Sequence, residues 1–189
     1  MAIVFAHLLS REAPGIEQLY VRLHTEVWGR EFGLRGERHS PRRVARRLAV
    51  CARRPGWSAV VGYEGSVPVG YCHGYTLEAA TSWWSDLSTP SLGPAEAQDG
   101  CRTAVLEEIV VRRPWRRRGV GRCMHDAWLS RRAETRVTLQ VKPDAGAGSV
   151  QALYHEWGYR DVGRRVPVPG SGAPELVVML RSRITPLDS

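Results

Sequence analysis

The run Leu106-Glu107-Glu108-Ile109-Val110-Val111-Arg112-Arg113-Pro114-Trp115-Arg116-Arg117-Arg118-Gly119-Val120-Gly121 gathers the residues of this 189-residue chain best suited to chemistry. An apolar, β-branched stretch from Thr103 to Val111 predicts a strand, and the spacing of Val120, Met124, Ala127 and Trp128 predicts a helix from about Gly121 to Ala133. Between them lies a turn of arginines with two glycines. A strand, a turn and a helix start in that order bring unpaired backbone N–H groups together at the positive end of a helix dipole. Such a place suits a pyrophosphate. Gly119 and Gly121 let the backbone come close to the phosphates, and Arg116, Arg117, Arg118 and Arg122 surround them with positive charge. Two rival phosphate motifs are excluded, because there is no G-x-x-x-x-G-K-[ST] and no third glycine of a dinucleotide fingerprint. Just upstream, Glu107 and Glu108 carry adjacent carboxylates. Successive strand residues face opposite sides, so only one of them is expected to face a given site unless a bulge intervenes.

The elements that must position these groups are legible in order. A strand is expected over Ala2–Leu9 and a helix over Pro14–Arg30, on the spacing of Ile16, Leu19, Tyr20, Leu23 and Val27. A second helix is expected over Pro41–Arg53, with Val44, Leu48 and Cys51 as its apolar face and arginines crowding the rest. Trp57–Tyr63 and Val67–Leu77 read as a hairpin around Glu64-Gly65-Ser66. Residues 79–100 turn polar and Pro/Gly-rich around Trp83-Trp84, a pair that suits a lid or substrate wall, while His73 on the hairpin strand could reach a cleft facing the acid pair. Further on come a strand at Arg136–Val141, a helix at Ser149–Trp157, and strands near Tyr159–Val168 and Glu175–Arg181. The order is mixed α/β in one domain over 1–189, with a substrate-side part at 1–78, the loop at 79–100 and a cofactor-binding part at 101–189.

Composition narrows the classes. No stretch approaches the roughly 20 apolar residues of a membrane span, and the opening Met1–Ala6 has neither a basic n-region nor a long h-region, so a cytoplasmic protein without a membrane partner is expected. The net charge of +8 suggests nucleic acid, yet Lys142 is the single lysine among 27 basic residues and asparagine is absent, a pattern that GC-rich codon usage alone produces. Nucleic acid is therefore not the expected partner. Cys51, Cys72, Cys101 and Cys123 lie far apart without His at metal-ligand spacing, so four reduced thiols and no metal are expected.

Arg116, Gly119 and Gly121 fit R-x-x-G-x-G between a strand and a helix, and Leu153-Tyr154-His155-Glu156-Trp157-Gly158-Tyr159 fits LY-x-x-x-GF after the next strand. With these two motifs in this order the chain resembles the GNAT superfamily of N-acetyltransferases. The resemblance implies an α/β fold with a mixed, mostly antiparallel sheet of about seven strands flanked by helices, whose central strands splay to hold acetyl-CoA. It implies direct acetyl transfer to a primary amine in a ternary complex. The pantetheine would pair with backbone from Ile109 through Val110 and Val111 to Arg112, and the pyrophosphate would sit on the amides of Arg117–Arg122, including Val120. A backbone N–H of Ile109–Val111 would face the thioester oxygen, and Tyr154 would protonate the departing thiolate. Glu108, with Glu107 close behind, would accept the amine proton directly or through water, and the other carboxylate could hold a cationic substrate. Where that family often has an asparagine stands Ala147, and Val150 stands where it often has alanine. A homodimer is compatible with the resemblance. The rival readings are a non-catalytic acyl-CoA-binding sensor and a nucleic-acid binder working through Arg42–Arg54.

Overall fold

The computed structural model describes residues 2–31, 39–79, 81–85, 87–88, 102–143, 149–166 and 174–182. Most of residues 79–100, Cys101 and Gly146-Ala147-Gly148 lie outside them. Among the described residues there are seven strands: β1 (Ile3–Leu9), β2 (Ser58–Glu64), β3 (Val67–Thr76), β4 (Thr103–Val111), β5 (Arg136–Val141), β6 (Arg160–Arg165) and β7 (Leu176–Ser182). Four α-helices accompany them among the same residues: α1 (Ala13–His24), α2 (Pro41–Cys51), α3 (Val120–Ser130) and α4 (Ser149–Glu156). The strands form one sheet in the order β1-β2-β3-β4-β5-β7-β6. The α/β architecture with a mixed seven-stranded sheet is the one expected. The chain packs as two compact units, Met1–Tyr75 with Leu106–Arg132, and Thr76–Val105 with Ala133–Ser189, so β4 contributes its first residues to the second unit and the rest to the first.

In the first unit β1, β2 and β3 run antiparallel, from Ile3 opposite Glu64 and from Glu64 opposite Val67. Gly65, at φ +60, makes the tight turn between β2 and β3. Pro41 opens α2, and the Ser40 hydroxyl caps it by accepting from the Arg43 amide. α1 packs on α2, and Tyr20 and Leu23 of the one and Val44 and Leu48 of the other are all buried. Each such side chain contributes roughly 1.5–3 kcal/mol by leaving water. α3 packs on β2, where the Trp128 indole N–H donates to Ser58 O at 3.2 Å. Close approach of β3 to β4 depends on Gly70, because a Cβ there would run into the carbonyl of Val110.

One expectation is corrected. The helix expected over Pro14–Arg30 is α-helical only to His24, and Thr25–Glu31 continues as a π-helical turn. Apolar spacing cannot distinguish the two windings here, since Leu23 and Val27 suit either. The reason for the wider turn lies in Tyr20, His24 and Trp28, and becomes clear at the site below.

In the second unit β5 pairs antiparallel with β7 along its whole length, and β7 with β6. The first residues of β4, Thr103–Val105, pair in parallel with Arg136–Thr138. α4 ends in a Schellman motif: Tyr159 N donates to Tyr154 O at 3.0 Å and Gly158 N to His155 O at 2.9 Å, with Gly158 at φ +87. The accompanying apolar contact is between the Tyr154 and Tyr159 rings, 5.5 Å apart. The glycine of the second sequence motif is thus a helix stop.

The two glycines differ in kind, which gives a paired prediction. Gly158→Ala has room but must hold a left-handed backbone, at a cost of about 1–2 kcal/mol. Gly70→Ala has an ordinary backbone but no room, and the shift it forces costs about 2–3 kcal/mol. Thermal unfolding should therefore show a drop of a few degrees for Gly158→Ala and a larger one for Gly70→Ala. A Gly70→Ala protein as stable as wild type would refute the close approach.

Candidate active site

At the C-terminal half of β4 the two carboxylates part company. Glu107 is exposed, whereas the Glu108 side chain turns inward and is only 13% exposed. Each Glu108 oxygen accepts two hydrogen bonds. Oε1 takes the Trp28 indole N–H at 2.7 Å and His24 Nδ1 at 2.9 Å, and Oε2 takes the Tyr20 hydroxyl at 2.6 Å and the Tyr71 hydroxyl at 2.9 Å. His73 Nε2 lies 3.7 Å from Oε2, too far for a hydrogen bond but close enough to interact electrostatically.

The local structure explains the convergence. Tyr20, His24 and Trp28 are spaced by four residues, and in a continuous α-helix the first and last would point roughly 80° apart. A π-helical turn takes more residues per revolution, so Trp28 stays on the face of Tyr20 and His24 and reaches the same carboxylate. Tyr71 and His73 sit two apart on β3 and share a face of the sheet.

Burial alone would raise the Glu108 carboxyl, but the bond from His24 and the nearness of His73 outweigh it and hold the group well below its ordinary value. Burial, then the Glu108 charge, push the Tyr20 and Tyr71 phenols up, so both remain donors. The bond network also fixes tautomers. The Trp57 indole N–H donates to His73 Nδ1 at 3.3 Å, so the hydrogen of His73 is on Nε2, toward Glu108. His24 gives its Nδ1 hydrogen to Glu108, and its Nε2 lies 3.3 Å from Arg47 Nη2 and 3.4 Å from His39 Nδ1.

Four residues beyond Glu108 the turn begins, with Arg113–Trp115 in a single 3-10 turn. Arg117 at φ +57 and Gly119 at φ +76 reverse the chain into α3, whose first amide to find a helical carbonyl is that of Cys123, on Gly119 O. The preceding amides of Val120, Gly121 and Arg122 stand at the helix start. The arginines divide their work. Arg112 bonds Glu26 at 2.7 Å and lies over the Trp115 ring, and Arg116 Nε donates to Val111 O at 2.7 Å, bracing the strand end. Arg122 pairs with Asp126 one helical turn on, while Arg117 and Arg118 are exposed. Val110 is buried and Ile109 and Val111 are partly exposed.

The remaining sequence candidates belong to the second unit. Tyr154 on α4 is buried against Trp157 and Tyr159. Trp83 donates its indole N–H to Thr138 at 3.3 Å and lies under the Arg165 guanidinium, and Trp84 is buried with Arg136 over its ring. Glu108 and His73 are brought together. Tyr20, His24, Trp28 and Tyr71 were not singled out from the sequence, although hydrogen-bonding aromatics at a repeated four-residue spacing were the available signal. Cys51 and Cys72 are buried free thiols, with Cys51 pushed up to about 12 by burial, and Cys123 is an exposed one. Among the described residues no group of His, Cys, Asp and Glu could hold a metal, and no helix is long and apolar enough to cross a membrane.

No family model and no curated protein sequence matches the chain. Solved structures do. An acetyltransferase from Thermus thermophilus is 19% identical with a TM-score of 0.59, over 97% of this chain and 98% of that one. A GNAT-family acetyltransferase from Staphylococcus aureus is 13% identical with a TM-score of 0.63, over 96% and 99%. The PaiA N-acetyltransferase from Thermoplasma acidophilum, solved with coenzyme A, is 9% identical with a TM-score of 0.56, over 97% and 100%.

The cluster makes a pH prediction. Because the folded carboxyl of Glu108 lies below its ordinary value of 4.5, its contribution to stability is fully present above that value and is lost as pH falls through the lower folded one. Glu108→Gln should cost roughly 3 kcal/mol near neutral pH, since it breaks a buried charge out of its network. The gap in melting temperature between wild type and variant should stay level above about pH 5 and narrow in more acidic buffers. A gap that widens in acid would contradict an ionised Glu108.

Proposed function

We propose that this chain, whose fold is that of the GNAT acetyltransferases, is an acetyl-CoA-dependent N-acetyltransferase acting on a primary amine. The observation that carries the reading is that one strand, β4, delivers both a buried carboxylate cluster and a helix-start turn rich in arginine. Along an extended strand Glu108 and Arg112 stand about 13 Å apart. An acyl-CoA has its two ends separated in the same sense, thioester at one and pyrophosphate at the other.

In this reading the whole of 1–189 is one transferase domain. The amides from Arg117 through Val120 and Gly121 to Arg122 hold the pyrophosphate, with Arg117 and Arg118 as its mobile counter-charges and Arg116 bracing the turn. The pantetheine runs along Ile109, Val110, Val111 and Arg112, and one of those backbone N–H groups stabilises the oxyanion of the tetrahedral intermediate. The amine, once neutral, attacks the thioester carbon, the C–S bond breaks with its electron pair on sulfur, and Tyr154 returns a proton to the thiolate. The Glu108 cluster supplies the negative charge that draws the amine proton away, with His73 among its members. Exposed Glu107 attracts a cationic acceptor, and Trp83 and Trp84 border the acceptor's approach. The similarity to a protein solved with coenzyme A supports the choice of donor.

Thermal unfolding with acetyl-CoA, with ATP and NAD as phosphate-bearing controls, tests the donor. Acetyl-CoA at about 100 times its Kd should add about 2.7 kcal/mol of stability, well beyond either control. Screening amines for thiol release then tests transfer, and Tyr154→Phe should lower kcat about tenfold to a hundredfold while leaving acetyl-CoA binding in place. A shift with acetyl-CoA but no thiol release for any amine would favour a sensor. Equal shifts with all three ligands would overturn the reading.

A further inference from the structure

The outer crest of α2 takes no part in acetyl transfer. Val44, Leu48 and Cys51 are the buried face of this helix, and at about 100° of turn per residue Arg42, Arg46 and Ala49 fall on the opposite side, all three exposed. The turn that closes the helix, with Arg53 N on Val50 O at 3.3 Å, carries exposed Arg53 on from them. Arg47 and Arg54 are engaged elsewhere, the first near His24 Nε2 and the second over the Tyr75 ring. Among the described residues, Arg42, Arg46 and Arg53 meet no acidic partner. This charge works against the helix that carries it. Arg42 and Arg43 stand in the first turn, at the positive end of the dipole, where there is no acidic residue. Arg42 with Arg46, and Arg43 with Arg47, are like charges four residues apart, which repel. Codon usage explains arginine in place of lysine but not the missing acids. The other three helices carry Glu17, Asp126 and Glu156, whereas α2 has four arginines and no acid. Arg122 on α3 has Asp126 one turn on, and α2 has no such pair. A charge pattern that costs a helix stability and is answered by no group of the protein is one that a polyanion completes.

We propose that the crest of Arg42, Arg46 and Arg53 is a docking surface for the phosphate backbone of duplex DNA, bound without regard to sequence. Guanidinium forks match phosphate oxygens two by two. From Arg42 to Arg53 the crest runs about 16 Å, a length over which a duplex presents about ten phosphate charges. A helix of about 10–12 Å across enters the B-form major groove, about 12 Å wide, whereas the A-form major groove of RNA is too narrow for it. The small side chain of Ala49 between Arg46 and Arg53 lets the backbone of α2 come close. Beside the arginines, the exposed positions of α2 are Pro41, Ala49 and Val50. They offer no aromatic ring on which unpaired bases would stack and no large apolar side chain to enter a membrane. The surface lies wholly on the first unit and is separate from the turn at Arg117–Arg122 that the transferase reading gives to the pyrophosphate. It stands whether or not that reading does.

Fluorescence anisotropy of a labelled DNA duplex of about 20 base pairs with the whole protein, over a series of salt concentrations, tests it. Affinity should fall with salt at a log–log slope of about −3, close to one unit for each arginine that neutralises a phosphate. The triple variant Arg42→Gln, Arg46→Gln and Arg53→Gln should bind about tenfold or more weakly at low salt and lose about 2–3 units of that slope. The corresponding triple Lys variant keeps the charge and should keep the slope. Because the crest charges repel one another, the Gln variant should melt no lower than wild type, so its loss of binding is not a loss of fold. Saturating coenzyme A should leave duplex binding in place, which separates the crest from the Arg117–Arg122 turn. Unchanged affinity and slope in the Gln variant would overturn the proposal, as would displacement of the duplex by coenzyme A. Polyglutamate bound as tightly as DNA would overturn it in favour of an acidic protein partner, and an RNA duplex bound more tightly would overturn the choice of DNA.

Discussion

The constraint on which the first unit depends is the solvation of one carboxylate. Taking Glu108 out of water costs several kcal/mol, and the protein offsets this with four short hydrogen bonds from three separate segments. Bonds to a charged group contribute about 1.5–3 kcal/mol each, so the balance is near even and the cluster's value lies in geometry more than in net stability. Tyr20 and His24 fix the rotation of α1 about its axis. Trp28 demands the π turn. Tyr71 fixes the face that β3 turns toward β4, and the missing side chain of Gly70, one residue earlier, lets the two strands come close enough for the hydroxyl to reach.

The same strand then supports a second device at its end. Arg117 carries a left-handed backbone that costs a non-glycine residue about 1–2 kcal/mol, and Gly119 carries one that glycine adopts freely. What the strain achieves is a chain reversal short enough to start α3 immediately, with its first amides collected in one place. Arg116 folding back on Val111 O and Arg112 on Glu26 stiffen the approach. Arginines that sequence alone treats as one basic cloud are thus of two kinds, those that hold the turn and those, Arg117 and Arg118, that stay exposed.

How much was legible follows from the range of the forces. β4 and β5 agree with expectation at both ends, because their apolar β-branched runs are bounded by turn residues and the decision is local. The glycines and arginines of the turn were legible for the same reason, whereas Gly158 was read only as part of a motif and its role as a helix stop is seen in the structure. The Glu108 cluster was not, because its donors come from 80 to 88 residues upstream on α1 and its π turn and 37 upstream on β3. Periodicity assigned Tyr20 to an apolar face, which is correct for its ring and silent about its hydroxyl. The π winding escaped because it leaves the apolar pattern intact and is selected by a hydrogen bond to a residue that sequence cannot place. The exposed and buried fates of Glu107 and Glu108 follow from strand alternation, yet alternation alone could not say which was which.

A carboxylate with every lone pair engaged is a good source of field and a poor place to put a proton. Neutral imidazoles can carry the influence of that charge outward without moving it, since each accepts at one nitrogen and donates at the other. Arg47 Nη2 lies 3.3 Å from His24 Nε2, so one edge of the buried ring meets a cation while the other meets the carboxylate. An acid placed for direct contact with substrate would have to give up at least one of its four donors whenever it took a proton, loosening α1, the π turn or β3 in each cycle.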